Sequence, residues 1–327
     1  MTDVMTRVVQ AFRPAAGAFR PAISVIVCTR TRPELVAGCL AALTAQDYPS
    51  FELVLVDNTD DAAFAATPSS GRRVRVVRES RPGLSRARNT GVSHARHDVL
   101  AFVDDDVIVE PGWLAAIGAA FGDVEVDGLT GLVVPAELET EAQREFEWYG
   151  GMGKGQERRL VRGASLPAWR TIGTQAVGVG ANMAFRRRVF DRVGPFDEAL
   201  GAGTVTLGAE DLDMFHRVLR AGLTIRYEPA ARVRHRHRRT VRELRGQIFA
   251  NGCSYSVYLL KIWSARSVRR RDVAAFAAWW LAGRIATGVF RLVARPGIRC
   301  AMAWDEVRGA LGAPAAYRKA QGLGLKA

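Results

Sequence analysis

Five apolar residues occupy positions 99–103 without interruption (VLAFV) and stop on three consecutive carboxylates, Asp104, Asp105 and Asp106. A strand this apolar belongs at the centre of a sheet covered on both faces, and three acids cannot be buried there unpaired. They must emerge at the carboxyl end of the strand, which is where open α/β sheets hold their ligands. Acids crowded on a fixed strand end repel one another unless a cation joins them. A small set of hard oxygen ligands suits Mg2+ or Mn2+ shared with phosphate oxygens. A solvated acidic turn is the competing reading.

The preceding segments build toward that strand. Residues 23–28 (ISVIVC) are apolar and β-branched, and Thr29, Arg30, Thr31 and Arg32 follow. Pro33 then opens a helical pattern with Leu35, Val36, Leu40 and Leu43 on one face. Residues 51–56 (FELVLV) form a second strand ending on Asp57 and Asn58, so the unit is β-α-β with a parallel pair and a right-handed crossover. A third short strand is predicted at 74–77, a helix from Trp113 to Phe121, and another strand at 127–134. Strand and helix alternate, which predicts a three-layer α/β sandwich.

No GxGxxG follows the first strand, and Gly151, Gly153 and Gly155 include no GK[ST]. Ordinary dinucleotide binding and a P-loop are therefore both unsupported. Those glycines read as a loop over a site. Residues 178–203 read as a glycine-rich entry, a short basic helix and a turn. Residues 208–220 form a helix whose first turn carries Glu210, Asp211 and Asp213, where acids also favour the helix dipole. A strand at 223–227 precedes the basic run 233–239, which holds His235 and His237. This run reads as a solvated face, a phosphate patch or a metal ligand; the arginines are expected to lower a histidine pKa and favour the unprotonated form.

The length of 327 residues allows one large α/β domain with an appendage. A net charge of +13 and a pI of about 10.4 point to an anionic partner: a nucleoside diphosphate, an acidic lipid headgroup or nucleic acid. The four cysteines form no CxxC and fit a reducing compartment. Arg7, Arg13 and Arg20 interrupt residues 1–22, which lack the apolar centre of a secretion signal and read as an arm on a cytoplasmic protein. The tail, 241–327, is a helical extension. Its apolar stretch 273–281 (VAAFAAWWL) follows Arg269, Arg270 and Arg271, and Arg284 and Arg291 fall on nearly one helical face beyond it. A membrane span needs about 18 or more uninterrupted apolar residues. With Trp279, Trp280 and Phe290, the pattern fits a helix lying in a lipid interface at the inner face of a cell membrane. A core helix or a dimer contact fits the same spacing.

Seven pieces in one order, SVIVCTRTRPE, ELVLVDN, RPGLSRARNTG, LAFVDDDV, GANMAFRRRVFDRVGPFDE, GAEDLDMFHRVLRAG and VRHRHRRT, cover about residues 23–240. Together they resemble the family 2 glycosyltransferases of the GT-A fold, a Rossmann-like three-layer sandwich around a mostly parallel sheet. The resemblance implies an inverting, metal-dependent hexosyl- or deoxyhexosyltransferase that uses a nucleotide-diphosphate sugar and a saccharide, glycolipid or lipid-linked acceptor. It assigns Thr29, Arg32, Asp57, Arg88, Asn89, Asp104 and Asp105 to the nucleotide-sugar, and Asp106, Asp104 and His235 to a divalent cation, Mn2+ or Mg2+. His237 is the alternative to His235. Asp211 is implied as the general base beside Glu210, with Gly180 and Asn182 at the acceptor. Arg30 departs from the usual nucleotide loop and leaves the base open. A nucleotidyltransferase of similar fold is the first alternative, though no glycine-rich phosphate loop supports it. A basic nucleic-acid binder is the second, and it leaves the three acids unexplained.

Overall fold

The computed structural model describes residues 20–59, 74–294 and 297–324. The expected N-terminal arm lies outside them except for its last residues. Among the described residues, nine strands form one sheet in the order β3-β2-β1-β4-β8-β6-β9-β5, with β7 paired to part of β9. The first four are β1 (Ile23–Thr29), β2 (Phe51–Asp57), β3 (Val74–Arg78) and β4 (Val99–Asp104), which pair parallel with one another. Helices α1 (Pro33–Thr44) and α2 (Leu84–His94) connect them. Alternation along β4 fills both faces: Val99, Ala101 and Val103 pack with α1 and α3 (Trp113–Phe121), while Leu100 and Phe102 pack opposite. The three-layer expectation holds.

Two stretches differ from the sequence reading. Residues 182–186 form a strand, β8 (Asn182–Arg186), antiparallel to β4, ahead of the short basic helix α5 (Arg187–Val193). The strand expected at 223–227 continues to His235 as β9 (Thr224–His235), parallel to β6 (Gly128–Pro135). Its first part pairs with β7 (Arg159–Arg162) and its last with β5 (Val107–Val109), which sets His235 opposite Val107. That pairing carries His235 to the acid turn, where the Arg236 amide donates to the Asp106 carbonyl at 3.1 Å.

The helical tail packs on this body. Helix α7 (Val241–Ala265) starts from a capping box of Thr240 and Glu243. Buried Lys261 of α7 bonds Asp197 and Asp213 at 2.8 and 2.7 Å, the second on α6 (Glu210–Arg220). Helix α8 (Arg270–Ala294) and helix α9 (Ile298–Gly322) complete the layer beside α4 (Glu141–Tyr149).

Candidate active site

The acids that end β4 open into a cavity of about 490 Å3 at the carboxyl edge of the parallel strands. Its walls include Thr29, Arg32, Asn58, Asp104–Asp106, Met152 of the glycine loop, His235 and Arg238. The three acids face different partners. Asp105 accepts from the Thr29 hydroxyl at 2.8 Å and from Arg32 at 3.2 Å. Burial pushes its pKa up to about 6, despite the Thr29 hydrogen bond. Asp104 keeps 30% side-chain exposure, and burial raises its pKa while Arg88 at 3.1 Å opposes. Burial also works against ionisation of Asp106, but His235 and Arg32 prevail and hold its pKa below the usual value.

Ligand atoms of Asp104, Asp106 and His235 lie within 4.8 Å of one another. Oδ1 of Asp106 is buried without a hydrogen-bond partner, and His235 Nε2 faces it at 3.3 Å. Two carboxylates and an imidazole this close together, one of their oxygens unsatisfied, fit a divalent cation. The expectation that arginines lower the His235 pKa is corrected. Burial is the largest influence and lowers it, as does Arg238, but the close contact and charge of Asp106 together with the charge of Asp104 outweigh them and the net shift is upward.

On α6, which begins beside this edge, burial drives the Glu210 pKa up to about 7 while Arg88 opposes. Asp211 is held by two amides, Gly180 N–H at 2.7 Å and Leu212 N–H at 2.8 Å. Gly180 lets the two segments approach closely: a Cβ there would come 3.0 Å from the Asp211 Cβ. Its N–H holds Asp211 and its carbonyl accepts from Arg88.

Three other expected site residues have partners within the protein. Arg88 is 2% exposed, and its guanidinium is engaged by Glu210 at 2.7 Å, Asp104 and Gly180. It ties the acid turn after β4 to the first turn of α6. The Asn89 amide exchanges two bonds with the backbone of Phe196, both 2.9 Å, and joins α2 to the loop after α5. Asn182 is fully buried, accepts from Trp113 Nε1 and donates to Leu132 and Ala231 carbonyls. Asp57 bonds the Thr59 amide and faces Arg78 at 3.8 Å; its neighbour Asn58 lines the cavity. Sequence reasoning missed Glu147, which bonds His237, and Lys154, whose pKa is lowered by burial in the company of Asp211. Neither has a local motif.

Residues 21–254 match the family model "Glycosyltransferase like family 2". The chain is 26% identical over 235 residues to a pre-mycofactocin glycosyltransferase of Mycobacterium tuberculosis, covering 71% of this chain and 46% of that protein. It is 26% identical over 229 residues to a glucosyl-dolichyl phosphate glucuronosyltransferase of Haloferax volcanii, covering 65% and 69%. This chain thus spans about half the length of the first relative. The mannosyltransferase PcManGT from Pyrobaculum calidifontis, solved with GDP-Man and Mn2+, superposes with a TM-score of 0.58 at 20% identity over 90% of this chain and 88% of that one. At that identity the likeness speaks for the fold, which is GT-A.

Proposed function

This chain belongs to glycosyltransferase family 2, and from that premise we infer that it moves a sugar from a nucleoside-diphosphate donor to an acceptor hydroxyl with inversion. The observation that carries this reading is the convergence of Asp104, Asp106 and His235 on one point of the cavity, with Arg88 tying Asp104 to Glu210, the residue before Asp211. Asp104, Asp106 and His235 would hold a divalent cation, which when bound neutralises charge growing on the departing diphosphate. Arg32 and Arg238 add fixed positive charge along the same wall. Thr29, Asp57 and Asp105 are the proposed contacts to the nucleoside portion of the donor.

Asp211 is the proposed base. The acceptor oxygen forms a bond to the anomeric carbon as the carbon–phosphate-oxygen bond breaks, its electrons leave with the diphosphate, and the hydroxyl proton passes to the Asp211 carboxylate. The two amides that grip Asp211 aim it before the acceptor arrives. Arg88 and Glu210 hold the first turn of α6 against the acid turn.

The acceptor is proposed to be lipid-linked and met at a membrane surface. An apolar cavity of about 370 Å3 between α7, α8 and α9, with Ser256 the polar residue in its wall, supports a hydrocarbon chain nearby. The dolichyl phosphate in the name of one relative agrees with that class.

Asp211→Asn is expected to abolish transfer, a loss of at least about 10²-fold for a general base, while calorimetry finds donor binding intact. Asp106→Ala is expected to weaken cation-dependent donor binding. Full turnover in Asp211→Asn would remove the base assignment.

A further inference from the structure

Behind the candidate cation ligands stands a second histidine. His235 and His237 are two positions apart on extended chain, so their side chains leave on the same side. Their Nδ1 atoms meet at 3.1 Å, and His237 Nε2 lies 2.8 Å from Glu147 Oε1. The His237 side chain is 1% exposed and packs edge-on against Phe146, with ring centroids 4.7 Å apart.

The donor and acceptor inventory of these groups fixes the hydrogens. An ionised carboxylate only accepts, so the hydrogen between Glu147 and His237 sits on His237 Nε2. A neutral imidazole carries one N–H, which makes His237 Nδ1 an acceptor. The contact between the two Nδ1 atoms then requires the hydrogen on His235 Nδ1. His235 Nε2, 3.3 Å from Asp106 Oδ1, is then the nitrogen that can give up its proton and offer a lone pair to a cation. A histidine that ligates a metal does so through one nitrogen while the other donates to a fixed partner, and loss of that partner typically weakens binding about 10- to 100-fold.

We propose that Glu147 and His237 are a positioning pair that sets the tautomer and ring orientation of His235 for a divalent cation. The proposal rests on the cation site described above. It also gives the glycine loop a purpose. Gly151 has φ +49°, and a Cβ there would come 2.6 Å from Glu147 Oε1. Glycine at that position leaves room for the carboxylate to face His237. The plainer alternative is a histidine kept only for packing against Phe146, and the two readings part in metal affinity.

The test is Mn2+ titration of the metal-free full-length chain, followed by the electron paramagnetic resonance of free Mn2+, with thermal melting of the same metal-free samples. His237→Phe keeps the ring and its contact with Phe146 but removes both nitrogens. It is expected to weaken Mn2+ about 10- to 100-fold with the metal-free melting temperature little changed. His237→Asn puts an amide oxygen near the place of Nδ1 and is expected to recover part of the loss. Glu147→Gln retains an acceptor without the charge, and a smaller loss is expected. It also serves should His237→Phe fail to fold. Wild-type Mn2+ affinity in folded His237→Phe, or in Glu147→Gln and His237→Asn together, overturns the pair. Failure of the unmodified chain to bind Mn2+ at all overturns the cation site itself.

Discussion

Arg88 is a charge 2% exposed, and such a group is tolerable only when its donors are matched by acids and carbonyls. Here Glu210, Asp104 and the Gly180 carbonyl match it, and the strongest consequence falls on Glu210. Burial lifts that carboxyl to about 7 from an ordinary 4.5, so between those pH values the folded chain binds more protons than the unfolded one. The contribution of Glu210 to stability is therefore present below pH 4.5 and lost as pH rises toward 7. Glu210→Gln should flatten this part of the melting-temperature profile; an unchanged slope would show that the carboxyl is not held as described. Asn182 offers a second residue-scale measurement. Replacing it by Ala strands the Trp113 indole N–H and two buried carbonyls. A loss of about 3 kcal/mol or more is expected in denaturant unfolding, from three unsatisfied groups costing about 1–3 kcal/mol each. A cost near zero would mean that water replaces the amide.

Helices α7 and α9 cross so closely that glycines carry the contact. A Cβ on Gly252 would lie 2.1 Å from the Glu306 carbonyl oxygen, and one on Gly309 would lie 2.0 Å from that of Phe249. Backbone carbonyls cannot swing aside as a side chain can, so the helices themselves must part. Gly309→Ala is expected to cost about 1–3 kcal/mol, the usual price of overpacking, and the matching Gly252→Ala to cost about as much. Their double variant should lose less than the sum, because either change already separates the pair. Strict additivity in chemical unfolding would contradict a shared crossing. The same element-scale view explains what the sequence disclosed. Strands β1, β2 and β4 were legible because each is an apolar run with a polar end. Strand β8 was hidden because only Met183, Ala184 and Phe185 separate Asn182 from Arg186, whose charge is buried against the carbonyls of Phe121 and Val126. Strand β9 looked short because Pro229 interrupts it, and the register with β6 slips there, between Gly131 and Leu132. The acids of the candidate site were legible as a strand end meeting a family pattern. The inward turn of Asn89 and Asn182, and the pairing of Glu147 with a histidine 90 residues away, were not, since sequence does not tell which way an amide or acid faces.

At the scale of the molecule, the unresolved balance is between a basic, amphipathic surface and the body it covers. The stretch Arg270–Leu292 is long and apolar enough to cross a membrane by length and composition, yet only 11% of its most apolar window is buried. Its two inner arginines are committed to the body: Arg284 lies 3.4 Å from Glu306, and Arg291 stacks 4.2 Å over the Trp148 ring. Crossing a bilayer would strip both from these partners, whereas lying flat keeps them. The opposite face shows Trp279 at 69% and Phe290 at 71% exposure, with Ile285, Val289 and Leu292 also exposed. Exposed Arg266, Arg269, Arg270 and Arg271 flank its start. Apolar area and cations on one edge are the two terms of interfacial binding to an anionic bilayer, about 1 kcal/mol for each cation near the surface. The chain should therefore sediment with vesicles containing anionic lipid, and the binding should weaken as salt shortens the reach of the arginines. Burying each large apolar side chain is worth about 1.5–3 kcal/mol. Trp279→Asp with Phe290→Asp should thus lower vesicle binding by more than about tenfold, since 1.4 kcal/mol is one decade, while leaving the melting temperature in solution nearly unchanged. Equal sedimentation of the variant and the unmodified chain would mean that this face meets something other than lipid.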